Sequence, residues 1–315
     1  MQLIQSKLAL LLGVLLIAAP VALAETRTCE ALVVAADGLW MVSERGEARR
    51  ILQDERGVNA PRFSPNGERI AYVRNFRFGE GEVVATIVVA GIDGRVLREI
   101  AVPLTAGIND VLDLGWLSEN RLWTEGHVHP SSSLYHEWPL ESDRPEHERW
   151  GSRFAPSPDG RSVAYVAHVP HGAPESFRSS IVMVDDRQVY PLDGDDRPHR
   201  VIGAIRWIAA DRLAFADAPD GNPTLVVVDA RAQRVLRRVP LGANDAVRGI
   251  ETAPDGTMAI ERGGRLFAID ERGKIRDDEA SMASFPPRFV NVGTKRLGVT
   301  ASRDAVVADD VRCHP

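Results

Sequence analysis

The chain has 315 residues, 26 Gly, 20 Pro, two Cys, 26% charged residues and a formal charge of −6. That balance excludes a collagen, a disulfide-dense mini-protein, a coiled coil and a highly charged disordered chain, and a chain of this size buries roughly three quarters of its unfolded surface. An acidic chain lacks the basic face that phosphate backbones need, so nucleic acid is not expected as a partner.

Residues 1–24 (MQLIQSKLALLLGVLLIAAPVALA) carry one cation at Lys7, an apolar run from Leu8 to Ala19, a break at Pro20 and the small-x-small ending Ala22-Leu23-Ala24. This is the order of a secretory signal peptide, and the run is shorter than the ~20 residues of a membrane-spanning helix. A cut after Ala24 is expected, leaving a periplasmic or secreted chain with 37 cations against 44 anions. No later apolar stretch reaches spanning length, so no membrane span is expected. Arg27-Thr28 ahead of Cys29 lacks the small residue that a lipid-attachment site uses. In an oxidising compartment two cysteines are expected to pair. Cys29 and Cys313 stand near the two mature ends, and a bridge between them closes a loop of 285 residues, an entropic restraint on the order of 5 kcal/mol.

From residue 39 the chain repeats itself. Short apolar cores begin at Leu39 (LWMV), Ile87 (IVVA), Leu134 (LYHEW), Ile181 (IVMV), Leu225 (LVVV), Leu266 (LFAI) and Ala305 (AVVA), at steps of 48, 47, 47, 44, 41 and 39 residues. This is the period of four-stranded propeller blades. The cores do not alternate polar with apolar, which fits inner strands covered on both faces, and periodic helical runs between the turn signals are missing. Asp93-Gly94 and Arg272-Gly273 supply turns into a following strand. A strand pair precedes each core, clearest in 61–74 (PRFSPNGERIAYVR) and 153–167 (RFAPSPDGRSVAYVA), weaker in 251–261, and divergent in 114–126, 204–217 and 287–301. In the two clear copies Pro presets φ, Asn or Asp tolerates the next position, and Gly closes the turn at positive φ.

Residues 61–74 and 153–167 resemble the repeat of TolB-type β-propellers, periplasmic relatives of WD-repeat propellers, and the likeness extends in outline over about residues 30–313. The resemblance implies an all-β fold of four-stranded antiparallel blades and protein partners in the cell envelope. TolB itself resembles an α/β domain followed by a propeller, whereas here the first blade starts within a few residues of the expected cut, so nothing about that extra domain carries over. Residues 31–52 read as the last three strands of one blade and 288–311 as the first three of another. Six strands are too many for one blade, so seven blades are favoured over six, with the ring closed by the chain ends and by Cys29 and Cys313. Residues 25–315 form one propeller domain in this reading.

Catalytic signatures are missing: there is no G-x-S-x-G elbow, P-loop, H-E-x-x-H or G-x-G-x-x-G opening a helix. No catalytic residue, metal or cofactor is assigned. Propeller peptidases add an α/β-hydrolase domain for which 25–315 leaves no room. Histidine is concentrated at His127, His129, His136, His147, His168 and His171. His-x-His puts two rings on one face of a strand, but no Cys or tight carboxylate pair stands at ligand spacing, so a loop facing solvent or a partner is the reading. Asp193, Asp195 and Asp196 lack the order of a calcium loop and read as an acidic turn. Trp116 and Trp207 hold the places of Phe63 and Phe154 in their repeats and read as core. Trp123, Trp138 and Trp150 fall in the irregular third repeat beside the histidines, and aromatic residues on loops of a rigid scaffold serve as binding anchors. Trp123, His127, His129, His136 and Trp138 therefore make up the expected binding surface, within 123–150.

The reading that results is an exported monomeric β-propeller that binds envelope proteins as a scaffold. The second reading is a propeller enzyme, a hydrolase or lyase, with its site at the channel mouth and any assisting metal on His127, His129 or their neighbours.

Overall fold

The computed structural model describes residues 28–35, 38–43, 47–54, 57–74, 85–102, 108–128, 132–170, 178–192, 197–219, 221–241, 247–252, 258–262, 265–269, 275–276 and 310–314. The leader at 1–24, His129, His171, Asp193, Asp195, Asp196 and the repeat at 287–308 lie outside the described residues. Every element among the described residues is a β-strand, and no helix there is long and apolar enough to cross a membrane.

The strands fall into six antiparallel groups of four in chain order. The first holds β1 (Thr28–Ala35), β2 (Gly38–Ser43) and β3 (Ala48–Leu52). The second holds β4 (Asn59–Phe63), β5 (Arg69–Arg74), β6 (Ala85–Gly91) and β7 (Val96–Val102). The third holds β8 (Ile108–Ser118), β9 (Arg121–Val128), β10 (Ser132–Pro139) and β11 (Glu146–Pro156). The fourth shares β11 and adds β12 (Val163–Pro170), β13 (Arg178–Val184) and β14 (Arg187–Tyr190). The fifth holds β15 (Val201–Ala209), β16 (Arg212–Asp217), β17 (Thr224–Asp229) and β18 (Arg234–Pro240). The sixth holds β19 (Val247–Thr252), β20 (Met258–Arg262), β21 (Arg265–Ile269) and β22 (Ile275–Arg276). Strand β23 (Asp310–His314) returns to pair with β1, giving the first group the order β23-β1-β2-β3.

The apolar cores starting at Leu39, Ile87, Leu134, Ile181, Leu225 and Leu266 all lie in the third strand of their group. Residues 31–52 do form the last three strands of a group, and 310–314 supply its first. The seventh unit expected over 288–311 is therefore corrected at its end, because residues 310 and 311 belong to the first sheet; residues 277–309 lie outside the described residues.

Alternation along a strand sends successive side chains to opposite faces, and here both faces are covered. On β6, Val88 and Ala90 pack toward the first sheet, beside Leu32, Leu39 and Phe63, while Ile87 and Val89 pack toward the third, beside Leu114, Leu122 and Trp138. On β17, Val226 and Val228 meet the fourth sheet, and Leu225 and Val227 meet the sixth. A strand buried on both sides has no polar face to show, which is why these cores read as continuous apolar runs.

The two clear turns are built alike. Ser64 Oγ donates to Asn66 Oδ1 at 2.7 Å and accepts from Arg69 N–H at 3.1 Å; Ser157 Oγ donates to Asp159 Oδ1 at 2.6 Å and accepts from Ser162 N–H at 3.0 Å. Gly67 and Gly160 close them at φ of 73° and 66°, where a side chain is disfavoured. A Cβ on Gly160 would overlap the Leu117 carbonyl of the third sheet, and one on Gly67 would overlap the Arg312 guanidinium. Arg312, on β23, pairs with Glu30, donates to the Gly67 carbonyl and lies 4.4 Å over the Phe63 ring. One side chain thus ties the last strand to the first two sheets.

Candidate functional site

The first strands of successive sheets pack against one another, β4 on β8 and β11 on β15. Where β4, β8, β11 and β15 converge, they line an open cavity of about 340 Å³, at the small end of ligand pockets. Its charged wall is Arg62, Asp113 and Arg206; its aromatic wall is Trp116, Trp123, Phe154 and Trp207.

The wall is held from behind by backbone contacts between sheets. The Trp116 indole N–H on β8 donates to the Arg62 carbonyl on β4 at 3.2 Å, and that of Trp207 on β15 donates to the Ala155 carbonyl on β11 at 2.7 Å. Both carbonyls lie two residues before the serine of a Ser-Pro-Asn/Asp-Gly turn, so one latch is used twice. Gly115 lacks the Cβ that would overlap the Trp123 indole, so that ring lies against β8 at the cavity wall. From Trp123 the rings of Tyr135, Phe154 and Tyr165 follow at 6.0, 5.1 and 5.4 Å, running from the third sheet into the fourth.

Arg62 Nη2 meets Asp113 Oδ1 at 2.6 Å, with both side chains part-exposed. Directly across from Asp113 on the neighbouring strand stands Glu125, which is buried and accepts from the backbone N–H groups of Arg153 and Phe154 at 3.2 and 3.3 Å. Those two amides lie where β11 passes from one sheet to the next, with Arg153 at a φ of 56° and a break in register between Ser152 and Ala155. The Glu125 carboxylate satisfies donors that the bulge takes out of the ladder. Burial pushes its pKa up, hydrogen bonds from Ser133, Phe154 and Arg153 work against that, and the Asp113 charge adds to it.

A carboxyl whose pKa is higher in the folded than in the unfolded chain contributes fully below the ordinary value of about 4.3, and that contribution is lost as pH rises through the raised value. The stability difference between wild type and Glu125→Gln, measured by urea unfolding, is therefore expected to move against wild type as pH climbs from about 4 to about 8. A difference that stays level across that range would contradict the assignment.

The expected binding surface is not assembled as one surface. Trp138 is corrected outright: it is fully buried between the second and third sheets, with its indole N–H on Thr124 Oγ1 at 2.9 Å. Trp123 is 8% exposed and turns to the cavity. His136 keeps 12% side-chain exposure, stands 3.5 Å from Glu148 and has its pKa lowered by burial, which the Glu148 carboxylate partly offsets. His127 is half-buried near the end of β9, opposite Ser133. His168 shares a hydrogen bond with Ser152 at 3.2 Å. Among the described residues no three His, Cys, Asp or Glu side chains are grouped as a metal site needs. Cys29 and Cys313 face each other in the β1–β23 register.

Sequence reasoning missed Arg62, Asp113, Glu125 and Arg206, and placed Trp116 and Trp207 in the core without the cavity they line. A signal was present: Arg62-Phe63, Arg153-Phe154, Arg206-Trp207 and Arg288-Phe289 place an arginine-aromatic pair in four of the repeats. The first three of these pairs fall on first strands, and each contributes to the cavity wall or the latches beside it.

No family model matches the chain, and no curated protein matches its sequence. Among solved structures, the chain is similar to an oligogalacturonate lyase from Vibrio parahaemolyticus, at 12% identity over 78% of this chain and 73% of the other, with a TM-score of 0.56. It is similar to the acylaminoacyl peptidase of Pyrococcus horikoshii at 14% identity and a TM-score of 0.53, over 81% of this chain but 44% of that one. The β-propeller domain of the Trilobed protease from Pyrococcus furiosus, with an open velcro topology, aligns at 16% identity over 76% and 73% of the two chains, with a TM-score of 0.51. These likenesses establish an all-β fold of the β-propeller class. Of the resemblance in the turns, they support the β-propeller class and nothing finer.

Proposed function

We propose that the cavity between these first strands is the working site and that the protein is a propeller enzyme of the hydrolase or lyase kind. The observation that carries this reading is the Arg62–Asp113 pair at 2.6 Å on the wall of an aromatic cavity, with the buried carboxyl of Glu125 directly across the strand pair. A hydrolase removes a proton from water and a lyase removes one from carbon; both need a base facing the substrate and a cation beside the charge that develops. Asp113 lines the cavity and serves as the base, and Arg62 as the cation. Glu125 sits behind the wall and acts through the strand that bears Phe154 and Ala155. Two carboxyls in environments this different suit acid–base work. The neighbouring fold of a lyase is in keeping with such chemistry on this architecture, but the argument rests on the cavity.

The protein-scaffold alternative on 123–150 is less favoured, because its central aromatic residues are turned inward. Export remains part of the proposal, on the strength of residues 1–24. The test is turnover by the folded chain, using oligogalacturonate for elimination and an acylated peptide for hydrolysis. Turnover of one of them is expected, reduced about 10²–10⁴-fold in Asp113→Asn. Turnover of neither, or turnover undiminished in the variant, overturns the proposal.

A further inference from the structure

We infer that this cavity recognises a small carboxylate and that Arg206 is the residue that holds it. The inference deepens the reading of the cavity as the working site and rests on it. Three charged side chains line the cavity. Arg62, from the second sheet, is committed to Asp113 at 2.6 Å. Arg206, from the fifth sheet, is exposed, has only a 3.4 Å contact with the neighbouring Ile205 carbonyl, and pairs with no carboxylate among the described residues. Among the described residues the cavity wall therefore carries one positive charge that no carboxylate offsets.

A guanidinium takes a carboxylate through two parallel N–H···O bonds, and this planar geometry also sets the orientation of whatever carries the carboxylate. The rest of the wall is chosen for a flat body: Trp207 adjoins Arg206 in sequence, and Trp116, Trp123 and Phe154 complete the lining. The indoles of Trp116 and Trp207 are fixed by their hydrogen bonds to Arg62 and Ala155, so they need not be ordered when a ligand enters, which lowers the entropic cost of binding. Among the described residues of the lining the one hydroxyl, that of Ser157, is already donated to Asp159 at 2.6 Å. A neutral polyol thus finds few groups to bond, whereas a carboxylate finds Arg206.

The experiment uses the full mature chain and tryptophan fluorescence, which reports on three indoles of the wall. Galacturonate is titrated against galactose, and benzoate against benzyl alcohol, so that each carboxylate has a neutral counterpart of the same body. The expected result is a saturable fluorescence change with one or both carboxylates, at least tenfold weaker with the neutral partner, and a loss of about tenfold or more in affinity in Arg206→Gln. The pair that responds tells a sugar acid from an aromatic acid. No response to either carboxylate, equal binding of a neutral partner, or unchanged affinity in Arg206→Gln overturns the inference. Arg206 is exposed, so the variant is expected to unfold at the same urea concentration as wild type. Carboxylate binding without turnover keeps this inference while the enzyme reading fails; turnover of a neutral substrate with no carboxylate binding does the reverse.

Discussion

Thiol labelling of the folded protein without reductant is expected to modify neither Cys29 nor Cys313, and reduction is expected to lower stability by several kcal/mol. The two residues are partners in the antiparallel register of β1 and β23. Directly opposed residues in such a pair have Cα atoms about 4.5–5.5 Å apart, within the range of about 4.4–6.8 Å that a disulfide spans. The bridge would close a loop of 285 residues, whose entropic restraint is on the order of 5 kcal/mol and forms the ceiling of the effect. The measured loss should fall below that ceiling, because Arg312 also anchors β23 through Glu30 and the Gly67 carbonyl. Urea unfolding of Cys313→Ser beside wild type gives the magnitude. Two labelled thiols in the unreduced protein, or a variant as stable as wild type, would remove the bridge from this account.

Trp138→Ala is expected to cost about 3–5 kcal/mol, the range for truncating a large buried aromatic residue. The ring is fully buried among Ile87, Val89 and Ile100 of one sheet and Leu114 and Leu122 of the next. Its removal also leaves Thr124 Oγ1, in a side chain 2% exposed, without its donor. Trp150, 55% exposed on the outer part of β11, provides the contrast: Trp150→Ala should change stability by no more than about 0.5 kcal/mol. Should Trp138→Ala fail to fold, Trp138→Phe keeps most of the volume and is expected to lose roughly 1–3 kcal/mol. Chemical denaturation of the three variants decides the matter. A loss under 1 kcal/mol in Trp138→Ala, by the scale of ordinary surface substitutions, would return that residue to the surface where its sequence neighbourhood first placed it.

The different fates of Trp138 and Trp150 show where sequence reading stops. Both lie in the irregular third repeat beside histidines, and no local pattern separates them. On β10 the ring of Trp138 falls on the face toward the second sheet, whereas Trp150, on the part of β11 that pairs with β10, is left exposed. Which of two tryptophans becomes core depends on the stacking of sheets that are dozens of residues apart in sequence. The turns behaved differently. In Ser-Pro-Asn-Gly and Ser-Pro-Asp-Gly the serine, the Asn or Asp and the glycine bond one another within five residues, so their geometry is written locally and could be read locally. Asp113 stands outside any motif: it is one of two aspartates on a largely apolar strand, and it acquires a role because Arg62, 51 residues earlier, is brought to its oxygen.

The strand repeat, its period near 44 residues, the turn chemistry and the all-β class were all determined by the sequence itself, because they follow from φ preferences and from apolar runs that only a doubly covered strand can use. The pairing of β23 with β1, the sharing of β11 by two sheets and the gathering of Arg62, Asp113, Glu125 and Arg206 around one cavity were decided by tertiary structure alone. The physical reason is the stacking of the sheets. It brings the first strands of successive groups together, so residues some 50 positions apart meet at the cavity, and no short window of sequence contains both partners of such a contact.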